Sequence, residues 1–503
     1  MRLDPSLLWA PRAWLPLAND TASGAGWRNH VLLRIGGDGC WADISPDVGP
    51  PPAHAQVLSG PLLPGLVNAH SHAFQRAFAG MAERREQASD DFWCWRDRMY
   101  GVALRITPEQ LRAVAAQLYV ELLRGGYTQV CEFHYLHHAD DGQPYADPAR
   151  LSWALADAAA DAGIGLTVLP VLYERAGFTQ PALRVEQRRF ASTPASVHAM
   201  QRAVQAAQRP LINAGVAIHS LRAAAPASIG ELLRRVGDDD MPVHIHIAEQ
   251  TAEVDDCIKA TGARPIEWLA REARPDPRWH LVHATHATPA EIDAVAGHGA
   301  AVVICPSTEA NLGDGLIDLP GWLEAGVAIS IGSDSHATRA WLDELRSLEY
   351  SQRLHLRRRN VAAAPERGVA SSAERLLAQA QRGSGRAAGF ARWGLTPGAR
   401  ADALVIDPRD GAMLGIPAAQ TLDALVFSSP SPLWRDVMVA GKWVIADGVH
   451  AHAAAVALRF EVAMNALWVG LAASPSRARE PPENVPRDAL FGDHIDELDG
   501  KPV

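Results

Sequence analysis

Eight short apolar segments alternate with helix-like stretches between Leu62 and Ile331, and this alternation restricts the fold more than any other feature. The segments read as strands over Leu62–Ala69, Thr128–Phe133, Gly165–Leu172, Ala214–Ile218, Pro242–Ala248, Trp279–Ala284, Ala301–Cys305 and Val327–Ile331. Between most of them lie Ala/Leu/Arg/Glu-rich stretches such as Pro108–Arg124, Leu151–Ala162 and Pro289–Ala296. Eight β–α units favour an α/β fold closed into a (β/α)8 TIM-like barrel, for which about 250 residues plus insertions is usual. A doubly wound open sheet is the alternative, but it usually carries a Gly-rich phosphate turn after an early strand, and the sequence has none.

Both ends of the chain have a different texture. Ala13–Pro16 and His30–Ile35 are β-like, with a turn at Gly36-Gly37-Asp38-Gly39. Ala401–Asp407, Val437–Ala440 and Lys442–Ala446 are β-like again, with a tight hairpin at Ala440-Gly441-Lys442. Residues 1–60 are too few for a core of their own. We therefore expect residues 1–60 and 395–452 to form one small β-sandwich domain, with the catalytic barrel over 61–394. Residues 453–503 should hold a C-terminal helix over 455–472 and a loosely ordered Pro/Glu/Asp-rich tail.

Net charge of −10 argues against a general affinity for nucleic acid or anionic membrane. Five scattered cysteines without a C-x-x-C pair read as thiols in a reducing compartment. No apolar run reaches the roughly 18 residues of a membrane span, and Asp4 and the early prolines do not suit a signal peptide. A cytoplasmic enzyme is the expectation.

In such a barrel, reactive groups stand at the C-terminal ends of the strands. The first strand runs into His70-Ser71-His72, and residues i and i+2 of a strand face the same way. The fifth carries His244-Ile245-His246 and then Glu249, the sixth ends in His283, and the eighth in Ser333-Asp334-Ser335-His336. Closure makes the eighth strand a neighbour of the first. Asp334 should then stand beside His70 and His72, with His246 reaching in from the far side. Three imidazoles and a carboxylate with one open position suit a catalytic divalent ion. His244 faces the same way as His246 but lies deeper in its strand, so His246 is the preferred ligand. Glu249 falls in the loop above, where a carboxylate can move a proton between water and a leaving group. Its plain alternative is a glutamate that favours a helix N-terminus. A lone strand-end histidine is more often a core or surface residue, so the weight rests on four strand ends coinciding. His134, His137 and His138 could mimic a metal site, but His137 and His138 read as a solvated loop. His286 and His336 read as helix-start or supporting residues.

The segments PGLVNAHSH, HIHIAE, LVHATH and SIGSDS together resemble the deaminase branch of the amidohydrolase superfamily. ARADALVID and VAGKWVIADG look like that family's C-terminal β segment. More narrowly, HSHAFQRAFAGMAE, DDFWCWRDRMY, EFHYLHH, IHSLR and PSTEANLGDG are similar to the formimidoylglutamate deiminase family of histidine degradation. The resemblance covers the chain as far as the acidic tail. It implies metal-dependent hydrolysis of N-formimino-L-glutamate to N-formyl-L-glutamate and ammonia, with Glu249, His283 and Asp334 catalytic and His70, His72, His246 and Asp334 holding the metal. It also implies Arg96 and Arg222 as substrate-binding residues, and guanidinium forks suit the two carboxylates of a small anionic substrate. Gln75, Tyr135 and His219 would complete the pocket. Apart from the resemblance, Arg96 reads as an amphipathic-helix arginine and Gln75 as part of a helix N-terminal surface.

Dinuclear members of the superfamily bridge their metals with a carboxylated lysine near the end of strand four. Here that region offers Arg209, Asn213 and His219 but no lysine, so one metal ion is expected. Zn²⁺ is the expected ion and Fe²⁺ the alternative, and the resemblance suggests a homodimer. The runner-up function is deamination of a guanine- or triazine-like amine, whose uncharged ring would ask for stacking faces and amides in place of two arginines. A catalytically dead scaffold barrel would lack at least one ligand, and none is missing.

Overall fold

A computed structural model describes residues 4–16, 24–83, 92–430 and 434–472. The apolar segments form a ring of parallel strands. In order they are Leu66–Ser71, Tyr127–His134, Gly165–Leu172, the interrupted pair Ile212–Ala214 and Val216–Ile218, Val243–Ile247, Trp279–His283, Ala301–Ile304 and Ala328–Ile331. Apart from Ile212 and Asn213 every residue of these strands is buried. Helices cover the outside and side chains fill the inside, which is why the runs are apolar throughout. The ring closes through Asp334: its N–H donates to His70 O at 3.0 Å, and its carbonyl accepts from His72 N at 3.3 Å.

A second sheet of nine strands is built from both chain ends. Asp4–Pro16 pairs antiparallel with Ala25–Ile35, which pairs with Trp41–Ser45. Ala403–Ile406, Trp434–Val439 and Lys442–Ala446 continue it on the other side. The sheet folds back on itself, since Trp41 N donates to Ala399 O at 2.8 Å and Gly398 N to Trp41 O at 2.7 Å. It thereby encloses a separate apolar core around Leu8, Val31, Leu33, Trp41 and Met438.

The segment expected as one strand over Leu62–Ala69 is divided. Leu62–Pro64 joins the small sheet, with Leu63 opposite Leu404, and only Leu66–Ser71 enters the barrel. Gly65 is the joint. A Cβ there would stand 2.3 Å from Thr128 Oγ1, so only glycine lets the chain pass the second strand this closely.

The N-terminal end of the barrel is stoppered by the helix Ser372–Ala387, which Ser371 caps by accepting from Glu374 N at 3.0 Å. The last carbonyls of any helix lack intrahelical donors. Here Ala387 O accepts from His244 Nε2 at 2.8 Å and Cys131 Sγ at 3.2 Å, while Ala388 O accepts from Asn213 Nδ2 at 2.7 Å and Thr167 Oγ1 at 3.3 Å. Four barrel strands thus supply the donors that terminate this helix.

The final helix, Ala453–Ala472, packs against Pro108–Arg124. The tail expected to be loosely ordered lies outside the described residues. No helix among the described residues is long and apolar enough to cross a membrane.

Candidate active site

The first, fifth, sixth and eighth strands deliver His70, His72, His246, His283 and Asp334 to one buried point. His70 Nε2 lies 3.2 Å from His72 Nε2 and 3.0 Å from His246 Nε2. Asp334 Oδ1 is 3.4 Å from His70 Nε2 and 3.3 Å from His72 Nε2. The backbone sets two of the tautomers. His72 Nδ1 donates to Phe133 O at 3.0 Å and His246 Nδ1 to His219 O at 2.9 Å, so the neutral rings present Nε2 as a bare acceptor. Burial holds both rings neutral and pushes the His70 pKa down to about 3. Lone pairs and a carboxylate oxygen converging away from water repel one another unless a cation lies among them. The nitrogen separations also match ligands that share one ion about 2 Å from each. The donor set therefore fits a divalent ion, which His70, His72, His246 and Asp334 would hold.

The strand ends turn sharply here. Ala248 (φ 51°), His283 (φ 68°), Ala284 (φ 49°), Asp334 (φ 43°) and His336 (φ 66°) all occupy the left-handed region. Each such non-glycine residue costs on the order of 1–3 kcal/mol and survives only where its surroundings hold it. Those surroundings are dense. Ser333 Oγ accepts from Asn68 Nδ2 at 2.7 Å, Ser333 N donates to Asn68 Oδ1 at 2.8 Å, and His336 Nε2 donates to His72 O at 3.1 Å. Glu132 takes the Ser71 hydroxyl at 2.9 Å and the Ala73 N–H, which fixes the chain on either side of His72.

His283 stands among three carboxylates. Its Nε2 is 3.6 Å from Glu249 Oε1 and 3.8 Å from Asp334 Oδ2, and its Nδ1 is 3.3 Å from Glu309 Oε1. Burial alone would lower its pKa, but Glu249, the Glu309 hydrogen bond and Asp334 drive it up to about 10. Burial raises the Glu249 pKa; the His283 charge opposes this and Asp334 adds to it.

Gln75, Arg96, Tyr135, His219 and Arg222 line one cleft, whose floor carries His72, His246, Glu249, His283 and Asp334. Gln75 follows His72 on the short turn Ala73–Ala77 and is 3% exposed, so it is no surface residue. Its Nε2 donates to Tyr135 Oη at 3.1 Å. Arg96 projects from the helix Phe92–Ala103 and is buried, its guanidinium 5.7 Å above the Tyr100 ring. Burial lowers its pKa, and the guanidiniums of Arg222 and Arg184 push the same way. Arg222 lies in the turn between the fourth strand and the helix Pro226–Val236.

Several other placements differ from expectation. His244 points to the opposite end of the barrel, at the helix carbonyl described above. His137, expected in a solvated loop, is buried with Nε2 3.0 Å from Val171 O. Sequence reasoning passed over Glu309 and Asp314, whose carboxylates approach the site from the short helix after the seventh strand and the residues just past it. Burial and Glu249 push the Asp314 carboxyl up to about 9. Both residues fall inside PSTEANLGDG, but no spacing rule marks them as part of the site.

A parallel barrel with such a donor set at its C-terminal mouth is the architecture of a metal-dependent hydrolase, and the chain belongs to the amidohydrolase family, whose model matches residues 62–444. Formimidoylglutamate deiminase of Pseudomonas aeruginosa is 45% identical over 447 residues, spanning 89% of this chain and 96% of that one. 8-Oxoguanine deaminase of the same organism is 28% identical over 428 residues, 81% of this chain and 88% of that one. The crystal structure of an amidohydrolase from Brucella melitensis superposes with a TM-score of 0.85 at 39% identity, covering 92% of this chain and 99% of that one.

Proposed function

We propose that this enzyme hydrolyses N-formimino-L-glutamate to N-formyl-L-glutamate and ammonia, a step of histidine degradation. The observation that carries the reading is the pairing of Arg96 and Arg222 in a cleft floored by three histidines and Asp334, in a chain 45% identical to a formimidoylglutamate deiminase. The substrate has two carboxylates and one formamidine. The arginines hold the carboxylates through charge-assisted hydrogen bonds, while Gln75, Tyr135 and His219 orient the rest, leaving the formimino carbon over the floor.

His70, His72, His246 and Asp334 would hold a divalent ion, which would supply an acidified water at the barrel mouth. A C–O bond forms, a C–N bond breaks, and the nitrogen needs protons to leave as ammonia. Glu249 Oε1 carries the proton to that nitrogen, and its raised pKa suits it to hold one in a buried site. His283 Nε2 hydrogen-bonds the attacking oxygen and the tetrahedral centre. Lys259, the barrel's lysine, is largely exposed and 3.6 Å from Asp256, which supports a mononuclear site. Zn²⁺ as the ion, a cytoplasmic setting and a homodimer belong to the same proposal and rest on the resemblance.

The test is ammonia release from N-formimino-L-glutamate, guanine, 8-oxoguanine and a triazine, with metal analysis of the same sample. Turnover of the formimino substrate with about one metal per chain is expected. Turnover confined to a purine or triazine would overturn the reading. That second reading has some support in the aromatic walls of the cleft, Tyr100, Tyr135, Tyr173 and Phe190. It leaves Arg96 and Arg222 without a carboxylate to hold.

A further inference from the structure

The short helix after the seventh strand, Pro306–Leu312, takes no part in the chemistry above, yet it reaches the site at two points. Thr308 Oγ1 accepts from Ser335 N at 3.2 Å and so braces the loop that carries Asp334. Glu309, 4% exposed, places Oε1 3.3 Å from His283 Nδ1, and the same oxygen accepts from Cys305 N at 3.0 Å. The backbone N–H of the residue just before this helix therefore pins the carboxylate in place. An oxygen held in that way is an acceptor, so His283 Nδ1 must bring the proton.

That constraint has a consequence at the far side of the ring. With Nδ1–H committed to Glu309, Nε2 is the atom turned towards Glu249 and Asp334. His283 sits on left-handed backbone (φ 68°), and the residue after it is left-handed too, so the main chain alone gives the ring a strained anchor. Without an acceptor at Nδ1 the ring is free to turn over, and that change takes Nε2 away from the cleft.

We infer that Glu309 is a positioning residue that acts through His283, fixing its ring orientation. The inference rests on the role given to His283 above. The physical logic is that of a carboxylate orienting a functional histidine, where loss of the partner typically costs about 10- to 100-fold in activity. A plainly structural Glu309, capping Cys305 N and nothing more, would act on stability and not selectively on turnover.

A double-mutant cycle on the metal-loaded enzyme separates these roles. Glu309→Ala should lower kcat about 10- to 100-fold while KM for N-formimino-L-glutamate changes by less than about threefold. Glu309→Gln keeps a carbonyl oxygen for His283 and should recover most of that loss. In a His283→Ala background, adding Glu309→Ala should cost less than about twofold, because the partner is already gone. Equal losses in both backgrounds, or wild-type kcat in Glu309→Ala, would overturn the inference. Full activity in His283→Ala would instead overturn the role given to His283, and the inference with it.

A readout that needs no substrate keeps this separate from the proposed function. In protein with isotopically labelled histidine, the Nδ1–H signal that vanishes in His283→Ala should persist in Glu309→Gln and be lost in Glu309→Ala. Its persistence in Glu309→Ala would overturn the inference whatever the substrate proves to be.

Discussion

The fifth and sixth barrel strands carry two layers of histidine, and the layers do opposite things. His244 and His280 are cross-strand partners with rings stacked 4.8 Å apart. Two to three residues further on, His246 and His283 stack at 5.6 Å. Residue type, strands, stacking and burial are shared; the surroundings are not. The lower layer meets the carbonyl end of the helix Ser372–Ala387, and His244 donates into it. The upper layer meets Asp334, Glu249 and Glu309, with His246 Nε2 a bare acceptor facing His70. What the second nitrogen faces, rather than the histidine itself, separates a structural ring from a reactive one.

The largest effect should come from the upper layer. His246→Ala or Asp334→Ala should reduce bound metal to background by elemental analysis and abolish turnover. Metal retained at full occupancy would erase the distinction between the layers. Next, Glu249→Gln should lower kcat by about 10²–10⁴ with metal content unchanged. Unaltered kcat would remove Glu249 from its proton-carrying role.

The structural group should answer to pH through stability. His137, like His244, is a buried ring whose Nε2 meets a backbone carbonyl, and its pKa is pushed down to about 4 by burial. The unfolded chain, with a histidine near 6.5, therefore binds more protons between those values. Stability is fully present above about pH 6.5 and is lost as pH falls towards 4, by about 3 kcal/mol in total for this ring. Denaturant titrations of wild type and His137→Asn between pH 7 and pH 4.5 should converge in acid; parallel curves would show that His137 is not held neutral.

The smallest effect belongs to the lower layer. His244→Leu should cost about 1–3 kcal/mol from the donor lost to Ala387 O. The thermal midpoint should drop while kcat per metal-loaded chain stays within about twofold. A collapse of kcat with normal stability would place His244 in the chemistry.

The barrel was legible because burial on both faces forces each strand to be an apolar run, and the site because His70, His72, His246, His283 and Asp334 follow such runs directly. Depth in the strand was the ground for preferring His246 to His244, and the two rings do point to opposite ends of the barrel. The division at Gly65 was not legible, since Leu62–Ala69 is one unbroken apolar run and only the approach of Thr128 shows why it must break. Burial of His137 also depends on distant chain: the segment through Arg189 folds over it, and Arg189 O accepts from His137 N at 2.9 Å. Glu309 escaped notice because its significance lies in one contact between the ends of neighbouring strands, which leaves no mark on the local pattern. The left-handed strand ends carry no glycine to announce them.

Anomalous diffraction from crystals of the metal-loaded protein tests the contrast between the two layers most directly. A single peak enclosed by Nε2 of His70, His72 and His246 and by Asp334 Oδ1 is the expected result. A peak beside His244 and His280, or a pair of peaks about 3.5–4 Å apart at the barrel mouth, would contradict it.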